Sequence, residues 1–173
     1  NLGASLLNVG QSLLGMQLTD NMRGVDLLSS LPEVDAANIG ATGASGGGNQ
    51  AMWLAAVDER IKAVVPVVSV GTFQSYIMNS NCVCELLPNG LTYTEEAAVL
   101  GLVAPRALKI LSATNDSNPS FFPSEMLRSH ERAKPIFSMM GAESKFAYEL
   151  FDTGHGYWPT MRESMLGWFD LQL

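Results

Sequence analysis

The sequence predicts an α/β fold built on a mostly parallel sheet, on three observations. Ile61 to Val70 is a β-branched run without polar alternation, and Ala107 to Thr114 is a second apolar run; such runs suit strands covered on both faces. Segments with apolar residues at helical spacing separate the strand candidates, and strands alternating with helices indicate parallel pairing. A glycine-rich turn, Gly43-Ala44-Ser45-Gly46-Gly47-Gly48, joins a short apolar segment to an apolar helical one. At 173 residues the chain reads as a single domain, residues 1–173, long enough to bury a core without disulfide or metal staples.

In chain order, Asn1 to Gln17 is uncharged and rich in Leu, Gly and Ser, a loop or short helix that expects cover. A helix is predicted from about Thr19 to Leu31. Thr19 or Asp20 caps it, Met22, Val25, Leu28 and Leu31 form its packing face, and Pro32 ends it. Ile39 to Thr42 is a short strand leading into the glycine-rich turn. Asn49 to Asp58 is apolar on nearly every side, as a buried helix is. Gly71 to about Leu100 reads as a long irregular stretch with Pro88, Asn89 and Gly90, of the kind that rims a pocket. A helix from about Pro123 to Gly141 is predicted to be interrupted near Pro135. Phe146 to Asp152 is a strand. A final helix, Pro159 to Leu173, packs through Met161, Met165, Trp168 and Phe169.

Composition narrows the function classes. With 47% hydrophobic and 16% charged residues, nothing reads as disordered. A net charge of −7 argues against nucleic acid and anionic membrane surfaces, which select for Lys/Arg patches. No apolar run approaches the roughly 18 residues of a membrane span, and no basic leader followed by an apolar core opens the chain. Cys82 and Cys84, the only cysteines, are spaced awkwardly for a disulfide because adjacent side chains of an extended segment point apart. They are expected to be free, partly buried thiols, and one C-x-C offers too few ligands for a metal. They do not identify the compartment.

Gly43-Ala44-Ser45-Gly46-Gly47 matches G-x-S-x-G. On a sharp strand-to-helix turn this pattern exposes a serine hydroxyl at the C-terminal edge of a sheet. The alternative of a phosphate loop lacks its lysine. A serine hydroxyl needs a base, and histidine, with an ordinary pKa of about 6.5, is the usual one. His155, in Thr153-Gly154-His155-Gly156, follows the last strand, and its flanking glycines let the loop lean over the sheet edge. The other histidine, His130, sits in the polar segment Arg128-Ser129-His130-Glu131-Arg132 and reads as a solvated surface residue. The base in turn needs an acid. Asp116 directly follows the strand Ala107 to Thr114; its rival Asp152 is only three residues from His155, too local to reach the ring from the far side. The order Ser45, Asp116, His155 is that of α/β-hydrolases. The backbone N–H of Gly46 supplies one oxyanion donor, and a second is not assignable. Phe73, Tyr157 and Trp158 are candidates for substrate contact, although ordinary core and rim aromatics explain them equally well.

These residues resemble the α/β-hydrolase superfamily, and most of all the acetyl-xylan-esterase-like and dienelactone-hydrolase-like serine esterases. The likeness runs through Ser12-Leu13-Leu14-Gly15-Met16, Ile39 to Ile61 with Asp58-Glu59-Arg60-Ile61, Cys82-Val83-Cys84-Glu85, Ala104-Pro105-Arg106-Ala107-Leu108, Asp116, Gly154-His155-Gly156 and Gly167-Trp168-Phe169. It implies Ser45 as nucleophile, Asp116 as acid and His155 as base, acting on small acyl esters through an acyl-enzyme with no metal or organic cofactor. Members of the superfamily carry further strands ahead of the region matching Ser12, and those strands supply the second oxyanion donor. A truncated α/β-hydrolase fold is therefore expected, with about four mostly parallel strands flanked by helices and the N-terminal strands lacking. Such a sheet keeps an open edge, which a homodimer or larger oligomer would cover. Two functions follow: a serine carboxylesterase, or a non-catalytic, partner-dependent half-domain that acts in protein interaction.

Overall fold

A computed structural model describes residues 2–173; Asn1, the first residue of the uncharged opening segment, lies outside them. The chain forms four strands: β1 (Ile39–Ala44), β2 (Ile61–Val67), β3 (Ala107–Asn115) and β4 (Phe146–Gly154). They pair in parallel, in sequence order β1-β2-β3-β4, with Ile39 opposite Ile61, Ala63 opposite Ala107 and Leu108 opposite Phe146. Because all four run the same way, every strand delivers its C-terminal residue to one edge of the sheet. Ser45, Asp116 and His155 each stand one residue past such an end.

The two-residue period of β2 and β3 divides the core into two layers. On one face Val64, Leu108 and Ile110 pack against helices α2 (Leu13–Ser30), α3 (Gly46–Val57), α5 (Glu96–Gly101) and α6 (Pro123–Met139). On the other, Ala63, Val65, Leu111 and Ala113 meet Met161 and Trp168 of α7 (Pro159–Gln172). Helix α3 is buried along most of its length, as its all-round apolar sequence predicts. Arg60 fastens its C-terminal end, reaching Asp58 and Asp26 of α2 at 2.6 Å each. The Arg60 hydrogen bond holds the Asp58 carboxyl below the usual range against its burial. Among the described residues no helix is long and apolar enough to cross a membrane.

Several boundaries differ from the sequence expectation. The opening segment holds α1 (Leu2–Leu7), and α2 starts at Leu13, where Ser12 caps it by accepting from the Gly15 N–H at 3.0 Å. An N-cap hydroxyl competes well at either position, and the apolar contacts of Leu14 with the core favour the earlier one. Strand β2 stops at Val67, because Val68 adopts φ 43°, which no strand accommodates. Gly71 to Leu100 is not irregular: it contains α4 (Phe73–Met78), α5 and single turns at Val83–Glu85 and Gly90–Thr92. Helix α4 is nucleated by a capping box in which Thr72 and Ser75 satisfy each other's backbone N–H groups. Helices of six residues are too short for periodicity to reveal. Helix α6 runs unbroken through Pro135 to Met139. The proline forfeits one backbone hydrogen bond, while burial of Met126, Ala133 and Phe137 holds the helix on the sheet.

Candidate active site

The turn after β1 has the geometry that its sequence suggests. The Ser45 N–H continues the ladder by donating to the Val67 carbonyl at 2.9 Å. Its backbone then reverses at φ 54°, ψ −126°, a conformation that L-residues rarely adopt and that structures retain mainly at functional turns. Helix α3 begins at the next residue. A Cβ on Gly43 would fall within 3.0 Å of the Gly47 backbone, and one on Gly48 would lie 2.7 Å from the Gly43 carbonyl. Both must be glycine for the first helical turn to fold back on the strand. Ser45 occupies the N-cap position, yet its side chain makes no capping bond, so the hydroxyl is not used up in holding the helix. The Gly46 N–H opens α3, where helical geometry provides no partner and the helix dipole is positive.

The structure joins Asp116 to His155. Nδ1 of His155 lies 2.9 and 3.0 Å from the two carboxylate oxygens of Asp116. The Asp116 side chain is fully buried and the imidazole is 27% exposed. A carboxylate on Nδ1 selects the tautomer that carries its proton there, leaving Nε2 as the acceptor. The ring also stacks on Phe121, centroids 5.8 Å apart. Asp152 is turned elsewhere and accepts from the Asn115 side chain at 2.7 Å. His130 corrects the surface assignment. It is buried, stacked on Phe146 at 4.4 Å, and its burial lowers its pKa. Its helix turns it and Ser129 inward, whereas Glu131 and Arg132 face outward.

One hydrogen bond closes the gap between the two ends of the sheet. The hydroxyls of Tyr157, two residues after His155, and Thr42, three before Ser45, are 2.8 Å apart. Thr42 also donates to the Val65 carbonyl at 2.8 Å. The loop that carries His155 is therefore fastened to the strand that carries the elbow. Trp158, 45% exposed, donates from its indole to the Gly154 carbonyl at 2.9 Å. Phe73 lies apart from these two. It is buried, stacked on Trp53, and lines an apolar cavity of about 250 Å³ with Tyr76, Ile77, Leu86, Leu87 and Leu91.

Glu85 is a site residue that the motif reading left without a role. Its carboxyl is buried, and one oxygen would lie 3.3 Å from a Cβ placed on Gly46. Burial raises its pKa, partly offset by the Asn81 hydrogen bond and by the charge of His155. A signal for it exists: Glu85 is the only charged residue between Lys62 and Glu95. Behind it, Glu96 is buried and pushed up to about 8 by desolvation. The Tyr76 hydroxyl donates to the Ser69 carbonyl at 2.7 Å and lies 2.9 Å from the Glu96 carboxyl. One hydroxyl proton serves the carbonyl, so the second contact suits a protonated Glu96 that donates in return. Cys82 and Cys84 are free thiols, the first exposed. Among the described residues no three His, Cys, Asp or Glu side chains cluster closely enough to hold a metal ion.

Comparison with known proteins agrees with this architecture. The family model described as acetyl xylan esterase (AXE1) matches residues 13–85, from α2 through the elbow to Glu85. The protein named "Putative hydrolase YtaP" of Bacillus subtilis (strain 168) is 29% identical over 115 residues, 64% of this chain and 38% of its own length. A carbohydrate esterase family 15 glucuronoyl esterase from Caldicellulosiruptor kristjansonii superposes with a TM-score of 0.76 at 22% identity. It covers 90% of this chain and 49% of that one. A glucuronoyl esterase from Solibacter usitatus gives 0.75 at 19%, covering 90% and 47%. The chain thus spans about half the length of those structures, and what it shares with them is the α/β-hydrolase fold.

Proposed function

We propose that this α/β-hydrolase chain is a serine carboxylesterase that cleaves small acyl esters through an acyl-enzyme. Ser45 is the nucleophile, His155 the general base, Asp116 the acid that orients it, and the Gly46 N–H an oxyanion donor. The observation that carries this reading is the two-oxygen contact of Asp116 with His155, tied through Tyr157 and Thr42 to a strained serine elbow. Oγ of Ser45 attacks the ester carbonyl carbon while its proton passes to Nε2 of His155. The tetrahedral oxyanion forms against the Gly46 N–H. It collapses by expelling the alcohol, which takes the proton back from Nε2. Water then attacks the acyl-enzyme by the same route and releases the acid and the free Ser45 hydroxyl. Trp158 and Tyr157 would meet the substrate at the rim, and Phe73 would meet an acyl group reaching the apolar cavity.

A fluorophosphonate probe tests the reading without a known substrate. One equivalent should attach to Ser45, with the mass increment absent in Ser45→Ala. No adduct at high probe concentration would favour the second reading, a partner-dependent half-domain that acts in protein interaction. A specific observation supports that alternative. Among the described residues no strand pairs with the outer edge of β1, and a groove of about 560 Å³ lined by Asn21, Gly40, Thr42, Gly47, Gln50 and Leu54 runs beside it. That is the side from which a second oxyanion donor would come, and one missing donor costs about 10²–10³ in rate. An unpaired edge invites pairing. We expect a homodimer or larger oligomer, seen by light scattering as at least twice the 18.6 kDa chain mass. A clean monomer at micromolar concentration would sink the oligomer.

A further inference from the structure

We infer that Glu85 is a positioning residue of the same site, anchoring the Asp116 loop through Asn81 and Asn118 and acting on His155 as a second carboxylate. The role in turnover rests on the esterase reading; the arrangement itself does not. Five residues form a continuous hydrogen-bonded chain across the edge of the sheet. The Asn81 amide donates to one Glu85 oxygen. The Asn118 amide donates to the Asn81 carbonyl oxygen at 3.0 Å, and the Asn118 backbone N–H donates to Asp116 at 2.8 Å. Asp116 then holds His155. Asn118 is doubly used, because its side-chain oxygen also caps the Pro119–Phe121 turn by accepting from the Ser120 N–H at 3.0 Å. Phe121 of that turn is the ring stacked on the imidazole.

The other Glu85 oxygen faces Gly46, beside the N-terminus of α3. Asp116 thus holds His155 directly from the end of β3, and Glu85 is linked to it from the Val83–Glu85 turn through Asn81 and Asn118. The ionisable groups acting on Glu85 are His155, Tyr76 of α4, Glu96 of α5 and the neighbouring Cys84. Of these, His155 alone can be a cation, so the charged partner that ionised Glu85 gains, beside the Asn81 hydrogen bond, is the imidazolium. Opposite charges within such a site stabilise each other, and hydrogen-bonded chains in a low dielectric couple their members.

The test is the titration of His155 by NMR, which needs no turnover and is clean because the chain has two histidines. In Glu85→Gln, of the same shape without the charge, the midpoint of the His155 ring titration should move to lower pH, because a negative charge near the imidazole favours its protonated form. Glu85→Asp retains the charge and should keep most of the wild-type midpoint. A residue that merely fills space would rank the two the other way, the isosteric Gln behaving as wild type. If both variants leave the midpoint unmoved, the inference is overturned. If Glu85→Gln does not fold, Asn81→Ala, which removes the link from Glu85 to the Asp116 loop, decides it: a midpoint displaced downward supports the role, and no displacement refutes it. Failure of the wild type to hydrolyse any ester would instead overturn the esterase reading and leave this result standing.

Discussion

Ser45→Ala is expected to lower turnover of a short p-nitrophenyl ester by on the order of 10⁴–10⁶-fold, the scale on which removal of a serine nucleophile acts. The loss should fall on kcat, since the Oγ forms its bond in the transition state and contributes little to ground-state binding. The substitution deletes one oxygen, and the Ser45 side chain makes no capping bond, so thermal unfolding should be almost unchanged. Backbone strain at φ 54° is present with either residue. Retained activity in a folded Ser45→Ala protein would remove Ser45 as the nucleophile.

Asp116→Asn is expected to cost about 10⁴ in kcat with a similar KM, because it presents the wrong hydrogen-bond partner to the imidazole. Asp116 accepts from two groups, the Asn118 N–H and His155 Nδ1. Asparagine can still accept from the Asn118 backbone with its oxygen, which leaves its NH₂ facing Nδ1. Nδ1 must then accept, and the ring proton moves to Nε2, where it blocks deprotonation of the serine. The fold should survive, since the side chain is isosteric and remains buried and hydrogen-bonded. Comparison of steady-state kinetics and of urea unfolding for the two proteins checks this. A variant that loses stability in proportion to activity would make Asp116 structural instead.

Much of this architecture is legible in sequence where a single residue type has a strong local consequence. Gly43 and Gly48 are needed for backbone to meet backbone, and the G-x-S-x-G pattern announces that approach before any coordinates exist. The unalternated run of β2 signals burial on both faces, and strands alternating with helices signal parallel order. Asp116 and His155 could be proposed because each follows a strand end, and in a parallel sheet all those ends share an edge. Other features were hidden because they depend on contacts distant in sequence. His130 sits among charged neighbours, and only the rotation of α6 against Phe146 buries it. Glu85 lies in a stretch where α4, α5 and two single turns are each too short to leave a period.

The sequence by itself determined the order of the strands and the glycine pattern of the elbow at Ser45, and it proposed Asp116 and His155 as the groups beside it. These follow from side-chain pattern and from the conformational freedom of glycine, which are local properties. Only the tertiary structure decided that Tyr157 is tied to Thr42, that Asp116 rather than Asp152 holds the imidazole, and that Glu85 reaches Gly46. Those contacts join residues 115, 39 and 39 positions apart. They form because the buried strands set the spacing of the sheet edge over which the loops must close.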